Sequence, residues 1–359
     1  MGSARFFLAL MVVIFHAGFG GYGGVYALYG FYLISGYVIY KSINQNYINK
    51  ENWVFKFYLK RFLRLLPPFI IASMIMYFAL LSICNFSLFD QCQSLPDNLT
   101  KYITSKSFNL NDFFQGIFPD TVIKKNPPQV VSFFGFISPF WSVSLEIFFY
   151  LLIPIIFLFN NKKIIITVLF INLFIYLFYS FWLVEKNDIG RWMDIVYRNF
   201  LPTLLFFNLG AVIYETKKVK LNYLISDFLL KFYRLFFLIG LIGVMLLSLN
   251  FHYSNYFVLQ HNFYLFFVVF LTIAVIYIDK YNNYSSNKLD FILGELSYPI
   301  YLNHMVVITV WGVYEEFLST KFNQLVILKI PIIVFFTILL SIIFYYIIDR
   351  NILKIRRLI

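Results

Sequence analysis

Near the start of the chain an arginine and a histidine bracket ten apolar residues: Arg5, then FFLALMVVIF, then His16. Eleven residues make close to three helical turns, so both side chains leave nearly the same face, roughly 16 Å apart along the axis. An ionisable group that deep in hydrocarbon costs a few kcal/mol unless partnered, which makes it functional by default. An imidazole, with an ordinary pKa near neutrality, is suited to taking and returning a proton. Arg61 and Arg64 stand three residues apart, on one helix face, where two guanidinium forks suit a phosphate-bearing ligand. Three further polar features interrupt apolar runs: Ser35-Gly36 in GFYLISGYVIY, Glu146 in WSVSLEIFFYLLIP and His304 in GELSYPIYLNH.

Each feature has a plainer reading. A lone intramembrane histidine can be a hydrogen-bonded packing residue, and Ser-Gly in a span can mark a close helix contact. Glu146 can be a solvated head at a span boundary. Arg61 and Arg64 can serve orientation alone. Taken together, buried Arg, Glu and two His in one bundle require partners.

The elements that must position these residues are membrane helices. The chain is 61% hydrophobic, 22% aromatic and 13% charged over 359 residues, against about 25% charged in a typical soluble domain. Two cysteines, Cys84 and Cys92, are too few for a disulfide scaffold and lack zinc-site spacing, although a disulfide joining them stays open beside two inert thiols. Ten candidate spans follow, at 5–20, 24–42, 67–84, 141–159, 164–184, 200–215, 234–250, 262–279, 291–314 and 326–348. The first ends in Gly18, Gly20, Gly21, Gly23 and Gly24, irregular backbone that membrane depth tolerates only inside protein or beside a wet cavity. With the N-terminus inside, 20 of the 29 Lys and Arg fall in cytoplasmic segments and 9 outside. That excess supports ten spans with both ends cytoplasmic, and explains the net charge of +12 without any nucleic acid. The expected fold is an all-α polytopic bundle of about ten transmembrane helices, forming one domain over 1–359.

Residues 43–66 read as an amphipathic cytoplasmic helix leading into span 3, with Pro67 and Pro68 opening the next helix. Residues 85–140 form a long external loop, too apolar for a linker, that caps the bundle. A first span this hydrophobic resembles a signal peptide, but similar segments follow to the end of the chain. The start does not fit myristoylation, with Phe6 where Ser or Thr is needed. From the helical rise, His16 lies roughly 16 Å, Ser35 roughly 14 Å, Glu146 roughly 22 Å and His304 roughly 20 Å above the inner side of a core of about 30 Å. Those depths permit all four to meet.

Five blocks in order carry a resemblance: Arg5-x10-His16, FYLISG at 31–36, YLKRFLRLLP at 58–67, WSVSLEIFFY at 141–150 and GELSYPIYLNH at 294–304. The chain resembles the membrane-bound acyltransferase-3 family, which includes bacterial O-acetyltransferases of surface polysaccharides. Relatives usually carry two phenylalanines where Phe31-Tyr32 stands, and Gly24-Val25 lies about three residues early relative to the family's Gly-Val. No esterase-like domain follows, so the chain resembles stand-alone members.

The resemblance implies an acyl-CoA donor, most often acetyl-CoA, from the cytoplasm and an acceptor hydroxyl outside. The acceptor is a polysaccharide or lipid-linked glycan of O-antigen, capsule or exopolysaccharide type, and the setting is the bacterial inner membrane, with its lipids as the remaining partner and no metal. On that basis His16 is the general base or transient acyl carrier, with the base role preferred. Glu146 orients the imidazole or binds the acceptor, and His304, Asn303 and Ser35 contact the thioester carbonyl or acceptor. Arg5, Arg61 and Arg64 hold the donor's phosphates. The loop at 85–140 and the segment EKNDIGRWMDIVYR, with Arg191 and Trp192, grip the glycan. The competing class is a transporter, flippase or polymerase of similar span count, against which no inverted repeat is visible and the R-x-x-R helix favours a phosphate-bearing donor. A narrower rival is acylation of a small molecule or lipid.

Overall fold

The computed structural model describes residues 1–19, 21–47, 51–85, 141–158, 162–183, 196–197, 200–216, 227–248, 257–281, 288–321 and 328–358. Among these residues the regular structure is helical: α1 (Gly2–His16), α2 (Gly23–Asn46), α3 (Trp53–Asn85), α4 (Trp141–Leu158), α5 (Lys162–Phe178), α6 (Phe200–Glu215), α7 (Asp227–Leu247), α8 (Phe257–Tyr281), α9 (Lys288–Lys321), α10 (Lys329–Phe344) and α11 (Arg350–Leu358). Two π-helical turns, Tyr179–Leu183 and Tyr345–Asp349, follow α5 and α10. Each of α1 to α10 overlies one of the candidate spans.

Among the described residues, three stretches are long and apolar enough to cross a membrane by length and composition: Leu259–Lys280, Lys288–Gly312 and Lys329–Leu358. Five more apolar helices are shorter, among them α1 and α6. At 15 residues α1 rises only about 22 Å, short of a core of about 30 Å, because the glycines after His16 end it.

One local expectation changes. Pro67 and Pro68 do not open a new helix; α3 passes through both, so the basic segment YLKRFLR and the apolar run after it are one continuous rod. The missing N–H groups leave the carbonyls of Leu63 and Arg64 without their usual i+4 donors. Membrane helices tolerate this where neighbouring groups or small backbone adjustments satisfy the carbonyls. Residues 43–46 complete α2 rather than starting the basic helix.

The chain divides into two compact units, residues 1–58 with 149–301 and residues 59–148 with 302–359. In the first, α2 is the central element, flanked by α1, α6 and α8. Its crossing with α6 is a backbone-to-backbone contact: a Cβ on Gly36 would overlap the Phe207 carbonyl, and one on Gly210 would overlap the Leu33 carbonyl. Lipid offers no hydrophobic drive for helices to associate, so small residues that let backbones approach do this work. Aromatic rings close the seam, with Tyr29 4.5 Å from Phe206 and Phe149 stacked 4.7 Å from Phe207. Lys280 finishes α6, its Nζ donating to the carbonyls of Ile213, Tyr214 and Thr216 at 2.9 Å each. A cation on the last carbonyls satisfies acceptors that a helix end leaves open.

In the second unit, α11 (RNILKIRRL) has no buried residue and sets Arg350, Lys354 and Arg357 on one face. Such a strongly amphipathic basic helix suits an anionic lipid interface. An open cleft of about 490 Å³ lies along α9 and α10, lined by Val306, Val310, Trp311, Phe336, Leu340 and neighbours. Its walls can hold hydrocarbon but offer nothing to a phosphate.

Candidate active site around helix α1

The first turn of α1 is capped from another helix. Its own cap position, Met1, supplies no side-chain bond. The work falls to Asp290, in the first turn of α9. The backbone N–H groups of Gly2 and Ser3 each donate to its carboxylate at 3.0 Å, and the Ser3 hydroxyl donates at 2.8 Å. A carboxylate there satisfies open N–H groups and meets the positive end of the helix dipole. The Met1 nitrogen lies 3.3 Å from Asp290 and also contacts Asp279.

Asp290 is itself held. Arg234 of α7 pairs with it at 3.3 Å and reaches Asp279 of α8 at 4.0 Å. Tyr233 donates to Asp279 at 2.5 Å and accepts from Arg234 Nε at 2.9 Å. Four helices of the first unit are thus tied together by one charged cluster. One turn beyond Asp290, bare Gly294 lets α1 settle: a Cβ there would stand 2.9 Å from both the Gly2 Cα and the Arg5 Nη2. The Arg5 guanidinium is therefore seated on a glycine. Ser297, one turn further, donates to the Gly294 carbonyl at 2.7 Å.

At the other end of α1, His16 is half-buried. Its Nδ1 lies 3.0 Å from the Val12 carbonyl. A carbonyl only accepts, so Nδ1 carries the proton and Nε2 is the basic nitrogen of the neutral ring. The Phe15 ring packs edge-on at 4.9 Å. Beyond it the chain turns through Gly18 (φ +91°) and Gly21 (φ +54°), left-handed conformations that glycine adopts without strain. A Cβ on Gly24 would meet the Phe15 side chain at 2.5 Å, so the head of α2 lies directly against the tail of α1.

A second histidine lies at the head of α8. His261 is fully buried, its Nδ1 2.9 Å from the Tyr26 hydroxyl, and the Tyr22 ring stands edge-on to it at 5.5 Å. Beside it Asn262 accepts from Tyr176 at 2.5 Å and donates to Ser180 at 2.9 Å. Ser180 belongs to the π-helical turn after α5, a kind of irregularity that re-aims side chains.

The residues expected from sequence are placed as follows. Arg5, His16 and Ser35 belong to the first unit, and Arg61, Arg64, Glu146 and His304 to the second. Ser35 is half-buried on α2, while its neighbour Gly36 is explained by the α6 crossing. Arg61 is 7% exposed and Arg64 intermediate. Glu146 is half-buried in the second turn of α4. His304 and Asn303 are fully buried on α9. Of the loop expected at 85–140, Asn85 closes α3 and the rest, with Cys92, lies outside the described residues, as do Arg191 and Trp192. The sequence reading missed Asp290, Arg234, Asp279 and Tyr233, and also His261. An aspartate opening an otherwise apolar span was a visible signal for the first. For His261 a histidine in the apolar run FVLQHNFYLFF was the signal.

Among the described residues, membrane-type helices carry a seated arginine and a histidine with a fixed tautomer on one short rod. The family model described as an acyltransferase domain, acyltransferase-3, matches residues 2–346, and the chain belongs to that family. Curated proteins and solved structures give no match. The chain is therefore an acyltransferase, and the family's reaction is acyl transfer to a hydroxyl.

Proposed function

We propose that this protein moves an acetyl group from cytoplasmic acetyl-CoA to a hydroxyl of a surface polysaccharide, across a bacterial inner membrane that it crosses ten times with both ends inside. The observation that carries the reading is the His16 Nδ1 bond to Val12, which leaves Nε2 as the base, three turns from the seated Arg5. The inside excess of Lys and Arg supports the orientation, and α1 to α10 overlying the ten candidate spans supports the count.

In the reaction, the acceptor hydroxyl oxygen attacks the thioester carbonyl carbon while His16 Nε2 takes its proton. The tetrahedral intermediate collapses, the C–S bond breaks, and the departing CoA thiolate recovers that proton from the imidazolium. The products are the O-acetyl ester and free CoA thiol, with His16 neutral again. Arg5 holds the donor's diphosphate at the inner surface, and Arg61 with Arg64 hold its remaining phosphate. Glu146 stabilises the imidazolium or binds the acceptor. Ser35, Asn303 and His304 serve the thioester carbonyl or the acceptor.

Mass spectrometry of surface glycan from wild-type and deletion strains tests this. Loss of O-acetyl groups at unchanged chain length supports the reading, whereas shortened glycan with intact acetylation overturns it in favour of a polymerase or flippase. Transfer from labelled acetyl-CoA by the purified protein separates an enzyme from a transporter.

A further inference from the structure

We infer that Asp290, with Gly294 one turn further on, is the positioning element for Arg5, and through it sets the affinity for the acyl donor. The inference rests on the reading of Arg5 as a donor-phosphate residue.

Three facts point there. Asp290 is 6% exposed and takes three hydrogen bonds from the first turn of α1, so it fixes both the height and the rotation of that turn. It is locked by Arg234, whose guanidinium pairs with it at 3.3 Å, so the carboxylate is anchored from a third helix. Gly294 then supplies the floor on which the guanidinium rests, with Arg5 Nη2 only 2.9 Å from where a methyl group would project. Asp290, Gly294 and Ser297 recur at i, i+4 and i+7, one face of α9, while Gly2 and Arg5 recur at i and i+3 on α1. Two complementary stripes of small and polar residues therefore meet along the first turns of both helices.

The other end of α1 is held independently by the Gly24–Phe15 approach. A fault at Asp290 is therefore expected to act on donor binding and leave the chemical step alone. This split tells a positioning residue from a structural one.

The experiment is steady-state kinetics of the full chain in detergent or vesicles, with acetyl-CoA varied. Asp290→Ala is expected to raise KM for acetyl-CoA about tenfold, the scale of a small misplacement of a binding group, with kcat within about twofold. Adding Arg5→Ala to Asp290→Ala is expected to raise KM no further than Arg5→Ala alone, because both act through one guanidinium. Asp290→Asn keeps the volume but loses the charge that anchors Arg234, and is expected to fall midway. Where Asp290→Ala fails to insert, Asp290→Asn and its double variant with Arg5→Ala decide the matter. Gly294→Ala crowds both the Arg5 guanidinium and the Gly2 Cα and is expected to copy the KM effect. Unchanged KM in the Asp290 variants, or effects that multiply with Arg5→Ala, overturns this inference alone. Wild-type KM in Arg5→Ala itself overturns both the inference and the donor-phosphate reading.

Discussion

The two ends of α1 are built on opposite principles. At the N-terminal end, long-range contacts do everything: Asp290 caps the helix from 288 residues away in sequence, Arg234 braces the cap, and Gly294 seats Arg5. At the C-terminal end, the decisive bond is local, His16 to Val12 one turn back, and the chain then leaves through two left-handed glycines. A ligand-holding group needs only to be in place, so an external clamp serves it. A proton-transfer group needs a defined tautomer, and an i−4 carbonyl supplies it. On the proposed roles of Arg5 and His16, binding and chemistry would rest on separate supports on one rod.

Breaking the chemical end should have the largest effect. His16→Ala removes the base and is expected to cut transfer to acceptor by about 10²–10⁴-fold while acetyl-CoA still binds. Transfer of labelled acetyl groups, set beside a donor-binding isotherm, measures both; residual activity near wild type would falsify the catalytic assignment. Next in size is the pair Arg61→Ala with Arg64→Ala. Arg61 is the more buried of the two, so its loss should raise KM for acetyl-CoA more than loss of Arg64, and the pair together by about 10²-fold if each charge-assisted contact contributes ~1.5 kcal/mol. An unchanged dependence on donor would return both residues to an orienting role. The Asp290 variants come after these.

How far the sequence shows this depends on the range of the contact. Arg5 and His16 on one face follow from a spacing of eleven, and helix geometry makes that reading secure. The helical class follows from composition, and the family from five short blocks in order. Gly36 could be placed in a helix contact but not matched to its partner, because Phe207 lies on a helix whose pairing no local pattern encodes. The Asp290 cap was missed for the same reason: a capping residue is normally sought one to three positions before its own helix, and this one reaches across from α9. Pro67-Pro68 misled in the other direction. Local rules open a helix at a proline, yet α3 continues because tertiary surroundings override a preference of this size.

Two smaller perturbations sharpen the contrast at the chemical end. Gly21→Ala places a side chain at φ +54° and drives its Cβ into the Ser248 backbone and hydroxyl, so the turn after His16 must shift. Left-handed strain alone costs about 1–2 kcal/mol, and the overlap adds to it. The expected result is lower kcat with KM for the donor unchanged, the mirror image of Asp290→Ala. A raised KM instead would mean that the two ends of α1 move as one.

Tyr26→Phe is the mildest test and the most informative about His261. It deletes one oxygen and leaves His261 Nδ1, fully buried, without the hydroxyl 2.9 Å away. Leaving a buried polar nitrogen unsatisfied costs about 1–3 kcal/mol, so thermal stability of the detergent-solubilised protein should fall by a few degrees. If the His261–Tyr26 pair only packs the heads of α2 and α8, activity per folded molecule stays at wild type. If it instead aligns the backbone that carries Tyr22 and the turn after His16, kcat falls as well, in the same direction as Gly21→Ala but by less. The comparison with Gly21→Ala decides, since that substitution moves the turn directly and Tyr26→Phe reaches it only through the imidazole.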